Sequence, residues 1–296
     1  MPLWRGVIVA GALVAAACSA ADDRTLPTVT PSTVASGETT TSLEPIDPAP
    51  SADDIAPPPQ LIGELQVEVV ATHPHDPAAF TQGLEVTEDG RLLESTGLYG
   101  QSDRRLVDIE TGAVLEIVET NSAVFGEGVT IVGDELIQLT WRARRYVRAD
   151  LDTLAETGSG IYDGEGWGLC YDGSQLVMSD GTSTLTFRNP ETFEPTGTVE
   201  VTLNGEPLIN INELECVNGQ VVANVWLTDF IVVIDPATGE VVGTLDGSAL
   251  RPADLPVENS SFALNGIAHD PTTGRFFLTG KLWPVLYEVE LSSPAS

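Results

Sequence analysis

Gln82 in "FTQG", Glu127 in "FGEG", Glu165 in "GEGW", Asn212 in "INELE" and Asn265 in "LNGI" place one carboxyl or carboxamide in similar company five times along the chain. A carboxyl group moves protons and an amide orients or donates, so this set suits acid–base work on a small polar substrate. Lys281, in "TGKLWP", is the single lysine among 296 residues and stands two positions before Trp283. An ammonium is a compact donor whose pKa moves on burial, and it enters spaces that a planar guanidinium does not. The structural alternative carries equal weight at each of the five positions, because side chains at strand ends also satisfy backbone groups of neighbouring strands.

Positioning such residues requires repeated elements, and the chain supplies them. Five units begin near Phe80, Phe125, Gly164, Ile211 and Leu264, each with a polar residue, a short apolar strand, a turn rich in Gly, Asp or Asn, and a second apolar strand. A further hairpin follows in "LVDIETGAVLEIV", "VRADLDTLAET", "LTFRNPETFEPTGTV" and "IVVIDPATGEVVGTL", with turn chemistry between β-branched runs. Four strands per unit, recurring at intervals of 38 to 53 residues between the five polar positions, predict an all-β, five-bladed β-propeller of antiparallel blades. The last unit ends one strand short, and "ELQVEVVATH" ahead of the first unit is the spare strand that would close the ring. First strands of blades line the central channel, so the five polar positions should converge at one mouth.

Four tryptophans, Trp141, Trp167, Trp226 and Trp283, fall inside the repeat motifs, and Phe80 and Phe125 precede polar positions. Aromatic walls beside convergent polar groups suit a small-molecule pocket, although packing between blades uses the same residues. Cys170 and Cys216 occupy similar places in successive units and are read as either a disulfide or two buried thiols. The histidines of "HPHD", His73 and His75, are read as loop packing ahead of the first blade, and neither a metal nor an organic cofactor is implied.

A formal net charge of −31, with only 13 basic residues, excludes nucleic acid as a partner. Residues 1–18 carry one arginine followed by the apolar run "GVIVAGALVAAA", too short to span a bilayer but matching an export signal. "VAAAC" resembles a bacterial lipobox with Cys18 as the lipidated residue, and simple cleavage and secretion is the alternative. Residues 19–62, rich in Pro, Thr, Ser and Ala, read as a disordered tether, and 63–293 as the propeller. The expected protein is an exported monomer, lipid-anchored at the cell surface or secreted.

The ordered motifs "HPHDPAAFTQGLE", "FGEGVT", "QLTW", "GEGWGL", "NELE", "ANVW", "LNGIA" and "TGKLWP" resemble those of the plant and bacterial glutaminyl-peptide cyclotransferases, over about residues 66 to 291. The resemblance implies a five-bladed propeller that converts the N-terminal glutamine of peptides or proteins to pyroglutamate and releases ammonia. It further implies a proton-shuttling carboxyl at Glu127, polar catalytic groups at Gln82, Asn212 and Lys281, and a substrate pocket of Phe80, Phe125, Trp141, Trp167 and Trp226. It assigns no role to Glu165 or Asn265. Two other classes share the fold, a non-catalytic binding module at the cell surface and a metal-dependent propeller hydrolase.

Overall fold

The computed structural model describes residues 60–256 and 259–294. The signal segment, Cys18 and most of the expected tether lie outside the described residues. Among the described residues there is no α-helix, only strands and two short 3-10 turns at Ser248–Leu250 and Ser260–Phe262.

Five antiparallel blades follow one another along the chain, with a two-stranded hairpin, Thr202–Leu203 and Glu206–Pro207, between blades three and four. Blade one is Thr81–Val86, Leu92–Thr96, Asp103–Val107 and Val114–Glu119; blade two is Gly126–Val132, Glu135–Thr140, Arg145–Asp150 and Glu156–Ile161. Blade three is Leu169–Tyr171, Leu176–Met178, Thr184–Arg188 and Pro195–Glu200, and blade four is Ile211–Val217, Gln220–Val225, Phe230–Ile234 and Val241–Asp246. Blade five contributes Leu264–Asp270, Arg275–Gly280 and Val285–Ser292, and its fourth strand is Gln66–Pro74, antiparallel to Val285–Ser292. Closure by the spare strand is therefore as expected. A second closure was not foreseen: Gly63–Glu64 pairs in parallel with the outer strand of blade four. Residues 60–62, expected to be the end of the tether, are held as well. The Leu61 N–H donates to the Gln220 side chain at 2.9 Å and the Ile62 N–H to Ser293 Oγ at 2.9 Å.

The alternation of each strand sends side chains to both faces of its blade, so the apolar core is divided among the five blade boundaries. Leu93 and Leu106 meet Leu136 and Ala149 between blades one and two, and Val177 and Leu185 meet Val221 and Ala223 between three and four. Cys170 and Cys216 lie at that same boundary and form a disulfide. The D-x-x-T turns are built as their chemistry predicts. Asp108 accepts from the Thr111 N–H and Asp150 from the Thr153 N–H, at 2.9 and 2.8 Å. The residue after each of these threonines is left-handed: Gly112 in the first, but Leu154, φ 56°, in the second. Full burial of the Leu154 side chain offsets a left-handed cost of about 1–2 kcal/mol.

Candidate active site

The position that converges on the channel mouth is set by register. Leu84, Val129, Leu169, Leu214 and Ile267 occupy equivalent places in the inner hairpins, facing Glu94, Gln138, Met178, Ala223 and Leu278. Two residues earlier stand Gln82, Glu127, Trp167, Asn212 and Asn265. The ring member of blade three is thus Trp167, and Glu165 lies two residues outside the ring that the sequence placed it in. "GEGWG" contains Gly-x-Gly twice, and only the second frame ends on a glycine set against the backbone of the next blade. A side-chain carbon on Gly168 would lie 2.1 Å from the Asn212 carbonyl, whereas the nearest neighbours of one on Gly166 would be side-chain atoms, the Tyr162 hydroxyl at 2.2 Å first among them. Gly128 repeats the requirement one blade earlier, where a Cβ would meet the Leu169 N–H nitrogen at 2.6 Å.

Gln82, Glu127, Asn212 and Lys281, with Phe80, Phe125, Trp141, Trp167 and Trp226, line one cavity of about 170 Å³. That is well under the ~300 Å³ floor of drug-sized pockets and suits the entry of a single side chain. Every residue the sequence proposed for catalysis or substrate contact is brought to it. Ser261 lines it too and was missed; it sits in a loop of blade five that carries no periodic signal.

The floor is charged. Lys281 follows the second strand of blade five; its N–H donates to the Ala263 carbonyl at 2.9 Å, and the next residue, Leu282, takes φ 60° and donates to Ala79 at 2.7 Å. This tight turn points the Lys281 ammonium inward, where it donates to Gln82 Oε1 and lies 4.7 Å from the centre of the Phe80 ring. Asn265, outside the cavity lining, donates to the Thr81 carbonyl at 3.0 Å and lies 3.4 Å from Gln82 Oε1, so it braces the strand that carries Gln82. Burial lowers the Lys281 pKa to about 8, against the opposing pull of Glu127 and Glu213.

Glu127 is 4 % exposed, and no described protein group hydrogen-bonds its carboxyl. Burial drives its pKa well above the ordinary carboxylate range; the Lys281 charge opposes this and the Glu165 charge adds to it. The walls are aromatic, with Phe80–Phe125 and Trp167–Trp226 meeting edge to face and Phe125–Trp141 tilted. Phe80 and Phe125 lie 6.0 Å apart, Phe125 and Trp141 5.6 Å, and Trp167 and Trp226 5.4 Å.

The glutamine cyclotransferase family model matches residues 42–291. The chain belongs to the glutamine cyclotransferase family. A glutaminyl-peptide cyclotransferase of Arabidopsis thaliana is 42% identical over 233 residues, 78% of this chain and 73% of that one. The crystal structure of Myxococcus xanthus glutaminyl cyclase superposes with a TM-score of 0.73 at 39% identity, covering 79% of this chain and 99% of the other. Membership makes the chain an enzyme and agrees with the five blades read from the repeats. The cyclotransferase-like motifs of the sequence are the segments that build the cavity. The histidines of "HPHD" lie apart from it, His73 beside Glu288 at 3.1 Å and His75 between Glu94 at 3.0 Å and the Trp283 carbonyl at 2.7 Å.

Proposed function

We propose that this enzyme cyclises the N-terminal glutamine of peptides or proteins to pyroglutamate, with Glu127 carrying the proton. The observation that carries the reading is a buried carboxyl without a protein partner, in a one-side-chain cavity, opposite the only lysine of the chain. The α-amine of the substrate attacks its own γ-carboxamide carbon. The new C–N bond closes a five-membered ring, Glu127 takes a proton from the attacking nitrogen, and the same carboxyl returns it to the departing NH2, which leaves as ammonia. A carboxyl with a pKa raised toward neutrality serves in both directions. Oxygen charge that develops on the amide during attack is met by the Lys281 ammonium, held by Gln82, and by Asn212. The aromatic walls grip the methylene stem and exclude water, so ring closure draws on orientation.

Ammonia release and pyroglutamate formation from a short peptide beginning with glutamine test this reading. Turnover by the unaltered chain that disappears in a folded Glu127→Gln variant supports it. A folded chain that binds such peptides without releasing ammonia overturns it in favour of a binding module.

Residues 1–18 support a second proposal, that the chain is exported and anchored through a lipid on Cys18. The Cys170–Cys216 disulfide supports export, since such bonds persist in oxidising compartments. Labelling with a radioactive fatty acid that is lost on Cys18→Ala checks the anchor.

A further inference from the structure

The five aromatic residues of the pocket form two separate runs. Phe80, Phe125 and Trp141 touch in sequence and belong to blades one and two, while Trp167 and Trp226 touch each other and belong to blades three and four. Trp141 and Trp167 face one another across the boundary of blades two and three, and a single residue joins them. Oε2 of Glu165 accepts the indole N–H of Trp141 at 2.6 Å and that of Trp167 at 3.2 Å. Its other oxygen accepts Arg142 Nε at 2.9 Å, and the Arg142 guanidinium lies 4.0 Å above the centre of the Trp141 ring. Burial pushes Glu165 upward, yet Arg142 and the two indoles hold it below the usual carboxylate range, so the acceptor stays ionised.

We propose that Glu165 is a positioning residue: by tying two tryptophans from adjacent blades to one carboxylate oxygen, it fixes the spacing of the walls that grip the substrate side chain. The proposal rests on the cyclotransferase reading above. An indole ring turns about two side-chain bonds; Phe125 and Arg142 contact Trp141, and Trp226 and Gly181 contact Trp167, but none of these contacts couples the rotation of one ring to that of the other. A shared acceptor restrains both rings together, at a rim where Trp141, Glu165 and Trp167 are all partly exposed. Glu165 lies outside the ring of converging polar groups and is absent from the cavity lining, so it touches the substrate only through the tryptophans, while its charge reaches Glu127 from a distance.

The test uses the full chain labelled at indole nitrogen, as wild type and as Glu165→Gln, Glu165→Ala and Glu165→Asp, with kcat and KM measured on a glutamine-initiated peptide. An amide oxygen still accepts both N–H groups, so Glu165→Gln should stay within about 3-fold of wild type. Glu165→Ala, and Glu165→Asp, which keeps the charge but withdraws the oxygens by one methylene, should raise KM about 10-fold with a smaller change in kcat. Two of the five indole signals should move in both of these variants. Equal loss in Glu165→Gln and Glu165→Ala would overturn the proposal, because charge and not acceptor geometry would then matter. An unchanged KM in Glu165→Ala, or indole signals that stay in place, would overturn it as well. Should Glu165→Ala fail to fold, Glu165→Asp against Glu165→Gln makes the same decision. If the wild type itself releases no ammonia, the functional reading fails, and the indole signals alone decide whether Glu165 holds both rings.

Discussion

Glu94 and Glu127 are both buried carboxyls on the inner hairpins of adjacent blades, 1 % and 4 % exposed, and their pKa values are shifted in opposite directions. Glu94 accepts from Thr81 at 2.8 Å and His75 at 3.0 Å, with Arg105 nearby. Burial would raise its pKa, but these partners carry it below the usual range. Glu127 has burial without hydrogen-bond partners and is carried far up. Two glutamates differ in role because one is surrounded by donors and the other faces a cavity. The first is a clamp that ties the strand before blade one to the "TGKLWP" turn, since His75 also holds the Trp283 carbonyl. The second has no such partner, and on the function proposed above it exchanges a proton with the substrate that fills the cavity.

The sharpest way to break this contrast is to neutralise Glu127. Glu127→Gln should lower kcat about 10³-fold while leaving the unfolding midpoint equal or raised, because an uncompensated buried acid is removed. A comparable loss of stability would show Glu127 to be a second clamp. Glu94→Ala should do the reverse: a loss of about 3–5 kcal/mol in unfolding free energy by denaturant titration, from the stranded His75 and Thr81, with near-normal kcat in the molecules that remain folded.

Lys281→Arg should cost about 10²-fold in kcat/KM with folding intact, since a planar guanidinium does not fit between Gln82 and the Phe80 ring. Full activity would show that charge alone matters at this place. In the wild type, kcat should fall on the alkaline side as Lys281 loses its proton near pH 8. The residual activity of Lys281→Arg should lack that limb.

The smallest effect is the pH dependence of the clamp. Burial pushes His75 down, but Glu94 and the Trp283 carbonyl carry it above 6.5. A raised folded-state pKa contributes stability that is complete below 6.5 and is lost as pH rises through the raised value. The lowered pKa of Glu94 contributes stability that is complete above 4.5 and is lost as pH falls through the lowered value. The stability difference between wild type and His75→Gln should therefore be greatest between about pH 4.5 and 6.5 and narrow above it. A difference that grows with pH would mean that His75 is held neutral.

Much of this enzyme was legible in one chain of letters, because the deciding features are local and repeated. The strand–turn–strand period, the D-x-x-T turns and the missing strand of the last unit specify five blades and their closure. Gln82, Glu127, Asn212 and Lys281 fall at strand ends whose convergence follows from that fold, and the aromatic residues beside them come along. The failures share one cause, which is that they depend on contacts between blades. "GEGWG" reads equally well in two frames until a neighbouring strand demands glycine at 168, so Glu165 was put in the ring and Trp167 only in the wall. The disulfide was one of two options until Cys170 and Cys216 met at a blade boundary. The parallel pairing of Gly63–Glu64 with blade four and the presence of Ser261 in the pocket have no periodic trace. The opposite pKa shifts of Glu94 and Glu127 are the clearest case: sequence supplies two glutamates, and the donors that lower one and the burial that raises the other come from strands that only the closed ring brings together.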